Sequence, residues 1–265
     1  MVELSLLQHI LAILSGAIIG FALGLIGGGG SILAVPLLLY VVGYPNPHVV
    51  IGTTALAVSA NAYLAMIPHA RAGNVRWRAA ITFAIPGALA ALCGALLGKL
   101  VNGHKLLFLF ALLMLAVAYF MVHPSAQRLM KPSQHAPALE KTALLIGVGT
   151  ATGMLAGFFG IGGGFLIVPG LMLATGMPIL NAIGSSLFSV GTFGLTTALS
   201  YAWSGLLDWG VAALFIIGGV LGGWLGVNLA TRFGHHKNRL NRIFAFIVIV
   251  TAVYMLYRNI QAFHH

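Results

Sequence analysis

The chain has 265 residues, 60% of them hydrophobic and only 6% charged, and its mean hydropathy is +1.02. A soluble domain carries roughly a quarter charged residues, so a water-soluble globule is excluded and the lipid bilayer is the expected surroundings. The net charge of +10 comes from 13 Lys and Arg against Glu3, Glu140 and Asp208; the cations fall between apolar stretches, which reads as membrane topology and excludes a nucleic-acid partner.

Windows of about 20 apolar residues predict eight spans, near 6–26, 49–68, 79–100, 106–123, 142–159, 183–203, 209–230 and 243–258. The N-terminus lacks the basic region of a signal peptide, so the first span is expected to be a retained helix. Two further apolar pieces, 31–43 and 165–175, each follow a Gly-rich break. As helices they would be roughly 17–20 Å long, short of the ~30 Å hydrocarbon core, and either cross or re-enter. The fold class is therefore all-α, a polytopic transmembrane helical bundle of eight full spans and two short Gly-broken segments.

The breaks are copies of one another. Gly24, Gly27, Gly29, Gly30, Leu33, Val35 and Pro36 match Gly157, Gly160, Gly162, Gly163, Leu166, Val168 and Pro169 at a constant offset of 133. With one residue dropped, Gly52-Thr53-Thr54 answers Gly184-Ser185-Ser186, and Ala70, Gly73 and Trp77 answer Ala202, Gly205 and Trp209. The chain divides into a repeat over 1–123, a polar connector over 124–141 and a second repeat over 142–265. The loop 69–78 carries Arg71, Arg76 and Arg78, whereas its counterpart 204–208 carries only Asp208. Basic loops face the cytoplasm, so equivalent loops fall on opposite sides and the repeats are inverted. This orientation puts 69–78, the connector and 231–242 in the cytoplasm of a prokaryotic inner membrane and both termini outside. Lys99 and Lys105 run against it.

A run of glycines at bilayer depth is tolerated only where it is buried in protein or lines a wet cavity. Gly permits positive φ and close approach, so successive N–H groups can converge on an anion, helped by the positive end of the helix that follows. The candidate substrate-binding residues are thus Gly27, Gly28, Gly29, Gly30 and Ser31 in the first half, and Gly162, Gly163 and Gly164 in the second. Hydroxyl and amide side chains of the next span add Thr53, Thr54, Ser59 and Asn61, answered by Ser185, Ser186 and Ser189. The glycines at four-residue spacing (Gly16, Gly20, Gly24; Gly149, Gly153, Gly157; Gly218, Gly222, Gly226) read instead as helix packing.

Paired Gly-broken segments point to a transporter site. No Asp or Glu falls firmly within a span, which weighs against cation or metal transport. His9, His48, His69 and His104 fall near span ends and are expected at the interface, with a coupling role open to any of them. A serine hydrolase using Ser31, Ser185 or Ser186 needs a histidine within reach, and none is expected to face them. Cys93, the lone cysteine, allows no intramolecular disulfide and no CxxC metal site; it reads as a small packing residue. Trp77, Trp203 and Trp209 read as interfacial anchors. No cofactor or metal is expected.

The stretches Gly-Leu-Ile-Gly-Gly-Gly-Gly-Ser-Ile-Leu-Ala-Val-Pro (24–36) and Gly-Phe-Phe-Gly-Ile-Gly-Gly-Gly-Phe-Leu-Ile-Val-Pro (157–169), with Gly-Thr-Thr (52–54) and Gly-Ser-Ser (184–186), resemble the sulfite exporter TauE/SafE family of membrane anion permeases. The resemblance covers nearly the whole chain. It implies a non-enzymatic permease moving sulfite, sulfonates or related small sulfur-containing anions across a prokaryotic inner membrane. Thiosulfate-importing relatives use several cysteines in their path, and this chain has one.

Overall fold

The computed structural model describes residues 5–122, 138–160, 164–232 and 237–263, and every regular element among them is helical. In order these are α1 (Leu6–Ile26), a 3-10 segment (Gly27–Leu33), α2 (Ala34–Pro36) running into a π-helical turn (Leu37–Val41), α3 (Pro47–Arg71), α4 (Trp77–Leu100) and α5 (Gly103–Val122). The second set is α6 (Ala138–Phe159), α7 (Gly164–Thr175), α8 (Ile179–Trp203), α9 (Trp209–Arg232) and α10 (Lys237–Phe263). Among the described residues six helical stretches are long and apolar enough to cross a membrane, α1 through Val41 counting as one. The expected spans 106–123 and 243–258 are helical, with shorter apolar stretches at Gly103–Tyr119 and Ala245–Asn259. Most of the expected connector lies outside the described residues, and its last residues, from Ala138, already belong to α6.

Local chemistry fixes where the helices begin. Ser5 and Gln8 form a reciprocal capping box at α1, satisfying two amides that would otherwise be orphaned. The Asn46 Oδ1 accepts from the His48 and Val49 amides ahead of α3, with Pro47 at the first helical position, where its missing N–H costs nothing. Asn102 Oδ1 accepts from the His104 amide at the start of α5.

Packing shows that the two halves are interlocked copies. The positive-φ glycines of the described backbone fall into repeat pairs: Gly27 (77°) with Gly160 (68°), Gly43 (78°) with Gly176 (69°), and Gly73 (71°) with Gly205 (68°). The most extensive contacts join α1 to α9 and α4 to α6, so the first helix of each half grips the fourth helix of the other. Gly16, Gly20 and Gly24 lie against the backbone of Phe215, Gly219 and Gly223, and Gly149, Gly153 and Gly157 against Phe83, Gly87 and Ala91. A side chain at any of these glycines would meet main chain, the close approach that small residues permit in membranes. The four-residue glycine rows are packing surfaces, as their spacing indicates.

At the centre, α3 and α8 run antiparallel. Gly52 meets Tyr201 near one end and Gly184 meets His69 near the other, while Ser59 Oγ donates to the Gly191 carbonyl at 2.6 Å between them. Positions 59 and 191 are repeat-equivalent, so the pseudo-two-fold axis passes through this hydrogen bond. Because equivalent helices are antiparallel, the repeats are inverted. These two helices are the most buried of the long spans. Leucines, isoleucines and Trp224 on the outer faces of α1, α4 and α9 are exposed, as side chains that meet lipid are. Trp77, Trp203 and Trp209 are exposed at helix ends. Cys93 is exposed on α4, so the expected packing role is corrected: with Gly94 turned to α6, the neighbouring position 93 falls outside that interface.

Candidate functional site

The first glycine break is buried, but its backbone differs from the expected cradle of converging free amides. Gly27 takes φ 77°, open to Gly at no steric cost, and donates its N–H to the Leu23 carbonyl. The run Gly27–Leu33 then winds as a 3-10 helix, whose i→i+3 pattern turns its amides back on the segment itself. The corrected picture is a tightened helical turn with a kink at its mouth, and every residue in it is buried. The sequence suggested unravelling because adjacent glycines penalise an α-helix; the tighter 3-10 winding was the cheaper solution.

This turn docks on the other half. The Gly28 N–H donates to Ser186 Oγ at 3.4 Å, and Ser186 Oγ donates to the Ile183 carbonyl at 2.8 Å. Ser31 Oγ closes back on the Gly28 carbonyl at 2.8 Å. A Cβ at Gly28 would collide with Gly164 and Val190, and a Cβ at Gly164 would collide with the Gly28 backbone. The two glycine segments therefore meet main chain to main chain. Gly30 is likewise closed, against Ala22. Gly29 is the exception: it is buried, yet a Cβ there would meet only Ile26 Cγ2, at 3.3 Å. Gly162 and Gly163 lie outside the described residues.

The Gly-Thr-Thr and Gly-Ser-Ser motifs have a structural task. Thr53 Oγ1 accepts from the Asp208 amide at 2.9 Å, and Ser185 Oγ accepts from the Arg76 amide at 2.9 Å. Positions 53 and 185, like 76 and 208, are repeat-equivalent, so each half uses one hydroxyl to seat the start of the fourth helix of the other. Gly52 and Gly184 leave room for the Leu206 and Asn74 carbonyls of the same loops. Thr54 Oγ1 bonds its own helix at Val50. Asn61 Nδ2 donates to the Phe215 carbonyl at 3.4 Å, and its side chain packs against Gly219. The buried polar atoms without a partner among the described residues include Asn61 Oδ1, Ser189 Oγ, Tyr201 OH and His69 Nε2. Ser189 lies one turn beyond Ser186, on the same face of α8, and so toward the break.

Several placements differ from expectation. Asp208, expected at the outer edge, is buried: its Oδ1 accepts from the Val211 amide at 3.1 Å as the cap of α9, and its Oδ2 accepts from Tyr44 OH at 2.9 Å. Burial, and then the Asp208 carboxylate, push the Tyr44 phenol from its usual value near 10 up to about 12. The neutral donor is favoured, so this contact is intact below the usual value and is lost only as pH rises through about 12. Asp208→Ala removes the cap and strands the Tyr44 hydroxyl. It is expected to lower stability by about 2–4 kcal/mol, read as a lower melting temperature in detergent, with Asp208→Asn losing less. Lys99, whose position ran against the charge asymmetry, donates to the Ser200 carbonyl at 3.0 Å and to Ser204 Oγ at 2.9 Å. It caps the C-terminus of α8, where a cation complements the helix dipole.

His69, expected at the interface, is 2% exposed and lies against Gly184, next to the serines of α8. No Ser–His pair forms there, since His69 Nε2 has no hydrogen-bond partner while Ser185 and Ser186 are engaged with backbone. No group of three or more His, Cys, Asp or Glu able to hold a metal ion occurs among the described residues. Of the candidate hydroxyls, Ser189 Oγ is the one left without a partner among the described residues, and Gly29 has room for a methyl beside Ile26.

A family model described as Sulfite exporter TauE/SafE matches residues 12–255. A probable membrane transporter protein of Xylella fastidiosa (strain 9a5c) is 54% identical over 250 residues, covering 94% of this chain and 95% of its own. Its counterpart in strain Temecula1 is 52% identical with the same coverage, and the probable membrane transporter protein YunE of Bacillus subtilis is 24% identical over 96% of this chain and 99% of its own. No solved structure matches the chain. With inverted halves, a family match over nearly its full length and relatives named as membrane transporters, the chain belongs to the sulfite exporter TauE/SafE family.

Proposed function

We propose that this chain is a secondary transporter of small sulfur oxyanions or sulfonates, holding its cargo where the first glycine break meets Gly164 and the Ser186–Ser189 face of α8. The observation that carries this reading is the direct meeting of the two glycine segments at the interface of inverted halves, beside an unpartnered buried hydroxyl at Ser189. Equivalent elements from the two halves can exchange roles about that point, as alternating access requires. Neutral donors suit a carrier, because an anion held by hydroxyls and amides is bound and then released. Thr53 and Ser185 anchor the moving parts, and Gly29 and Ser189 touch the cargo. In this reading the connector and the Arg71–Arg78 loop face the cytoplasm of the inner membrane, and both termini face outward.

The test is counterflow in proteoliposomes with sulfite, sulfate, thiosulfate, sulfoacetate and taurine. Saturable exchange is expected for sulfite or sulfoacetate, with divalent cations without effect. Thiosulfate is expected to lag, since Cys93 is exposed on α4 and supplies no thiol to the interior. Absence of exchange across the whole panel removes the proposal.

A further inference from the structure

Repeat-equivalent positions 69 and 201 carry two buried polar rings whose end atoms have no partner. His69 is 2% exposed with Nε2 unpaired, and Tyr201 is 0% exposed with its hydroxyl unpaired. They occupy opposite ends of the antiparallel α3–α8 pair. A Cβ at Gly184 would lie 3.3 Å from His69 Cβ, and one at Gly52 would lie 2.8 Å from Tyr201 Cβ. Each ring thus abuts the Gly-hydroxyl motif of the opposite half. The His69 ring also reaches the Gly24 backbone, three residues before the kinked Gly27, whose own neighbours are Ile183 and Ser186.

We propose that His69 is the proton-binding residue of this transporter and that its protonation is coupled to anion occupancy of the adjacent glycine break. The inference rests on the cargo reading above. Among the described residues His69 is the only buried basic side chain. An imidazolium there has no carboxylate beside it, and an unpaired charge taken out of water costs several kcal/mol. An anion in the break supplies the missing counter-charge, and the proton does the same for the anion. Each then binds better when the other is present, by the same factor. An ionisable residue inside a membrane protein, close to its path, is the usual seat of such coupling.

The other titratable groups around α3 are exposed, engaged or at the opposite end of the helix. Facing it, α1 presents only backbone at Gly24, its one titratable residue, His9, being exposed at the other end. The α8 helix presents Gly184 and carries Tyr201 at its far end. The loop and the start of α4 bring Arg71, Arg76 and Arg78, all exposed, and α9 brings Arg232 in its last turn. Tyr40 of the π-helical turn is engaged by Asn259. The α5 helix meets α3 at Pro47, the opposite end, with His104 and Lys105 exposed; Asp208 and Tyr44 also lie at that end, by Thr53. At the twin site Tyr201 is a phenol under the Lys99 ammonium, 5.7 Å from the ring centroid, and stays neutral near pH 7. At that end His48 also lies beside Tyr201, 6.4 Å between ring centroids with its Nδ1 unpartnered, but it is only partly buried; the imidazole beside the glycine break is His69.

Proteoliposomes carrying the intact protein, with internal pH read by a trapped dye, test this with sulfoacetate as the probe. With about pH 6 outside and about pH 8 inside, spanning the imidazole range, sulfoacetate uptake is expected to rise roughly tenfold over no gradient, and the lumen to acidify as uptake proceeds. Lacking the counter-charge, His69→Gln is expected to lose both the gradient response and proton entry and to lower counterflow roughly tenfold near pH 6, while differing from wild type by less than about threefold near pH 8; His69→Asn serves if that variant fails to insert. Wild-type uptake that ignores the gradient overturns the coupling while leaving the cargo reading intact. So does a gradient response that survives in either variant, or loss of all counterflow in an inserted variant. Wild type with no sulfoacetate counterflow at all removes both.

Discussion

Gly28→Ala is expected to lower the protein's stability, and Gly29→Ala chiefly its transport. The two positions are adjacent in one buried turn, yet their surroundings are opposite. A methyl at Gly28 overlaps the Gly164 main chain and Val190, whereas one at Gly29 meets a single side-chain carbon at 3.3 Å. Forcing a carbon into closed packing costs about 1–3 kcal/mol where side chains can yield, and main chain yields least, so Gly28→Ala belongs at or above the top of that range. Gly29→Ala is expected to melt within about 1 kcal/mol of wild type, since the Ile26 methyl can give by a few tenths of an ångström. Its methyl fills the space assigned to cargo, so counterflow is expected to fall roughly tenfold, and Gly29→Leu to abolish it. Detergent melting curves and sulfite counterflow on the same preparations check both halves of the contrast. A Gly29→Leu protein that inserts and transports at the wild-type rate places the cargo elsewhere.

The architecture was largely legible because the features that specify it are periodic or duplicated. Membrane-length apolar runs, the repeated Gly–Pro segments and the basic loop at Arg71–Arg78 with no basic partner at 204–208 led to inverted helical halves. The antiparallel packing of α3 on α8 bears out the inversion. The glycine rows on α1, α6 and α9 were legible as packing surfaces for the same reason, although their spacing alone did not name the partner helices. Those partners lie in the opposite half, and no local pattern encodes a long-range choice.

The site was less legible. Composition marked the glycine runs and the hydroxyls as special but could not say which donors were already spent. Thr53 and Ser185 looked like ligands because they are duplicated; they are duplicated because each seats the opposing loop. Asp208 fell at a span end by hydropathy and proved to be a buried cap, since Tyr44 and the α9 amides give its carboxylate the partners that burial demands. His69 was placed at the interface by counting from the loop. The close approach of α8 at Gly184 and of α1 at Gly24 buries it instead, and that approach is a property of three helices together. Matching position 69 with 201 was possible from the sequence offset, but a histidine and a tyrosine do not announce themselves as equivalents until both rings are seen against the same motif.

Cutting the chain between the halves should yield two pieces that fail apart and recover together. If each half were a self-contained unit, residues 1–122 and 138–265 would insert and persist separately. The contacts say otherwise: among the described residues the α1–α9 and α4–α6 pairs are the most extensive, and both cross between halves. The rows Gly16–Gly20–Gly24 and Gly149–Gly153–Gly157 are shaped to opposing backbone, so a lone half presents grooves that lipid chains fill poorly. Separately expressed halves are therefore expected to be degraded, while co-expressed halves assemble and restore counterflow. Gly20→Leu or Gly153→Leu should block that rescue, because each puts a side chain into the main chain of Gly219 or Gly87 at a cost of at least about 3 kcal/mol. Co-purification through a tag on one half, followed by sulfite counterflow, reads the outcome; a stable solitary half would mean that the cross-half grip is not what holds the bundle together.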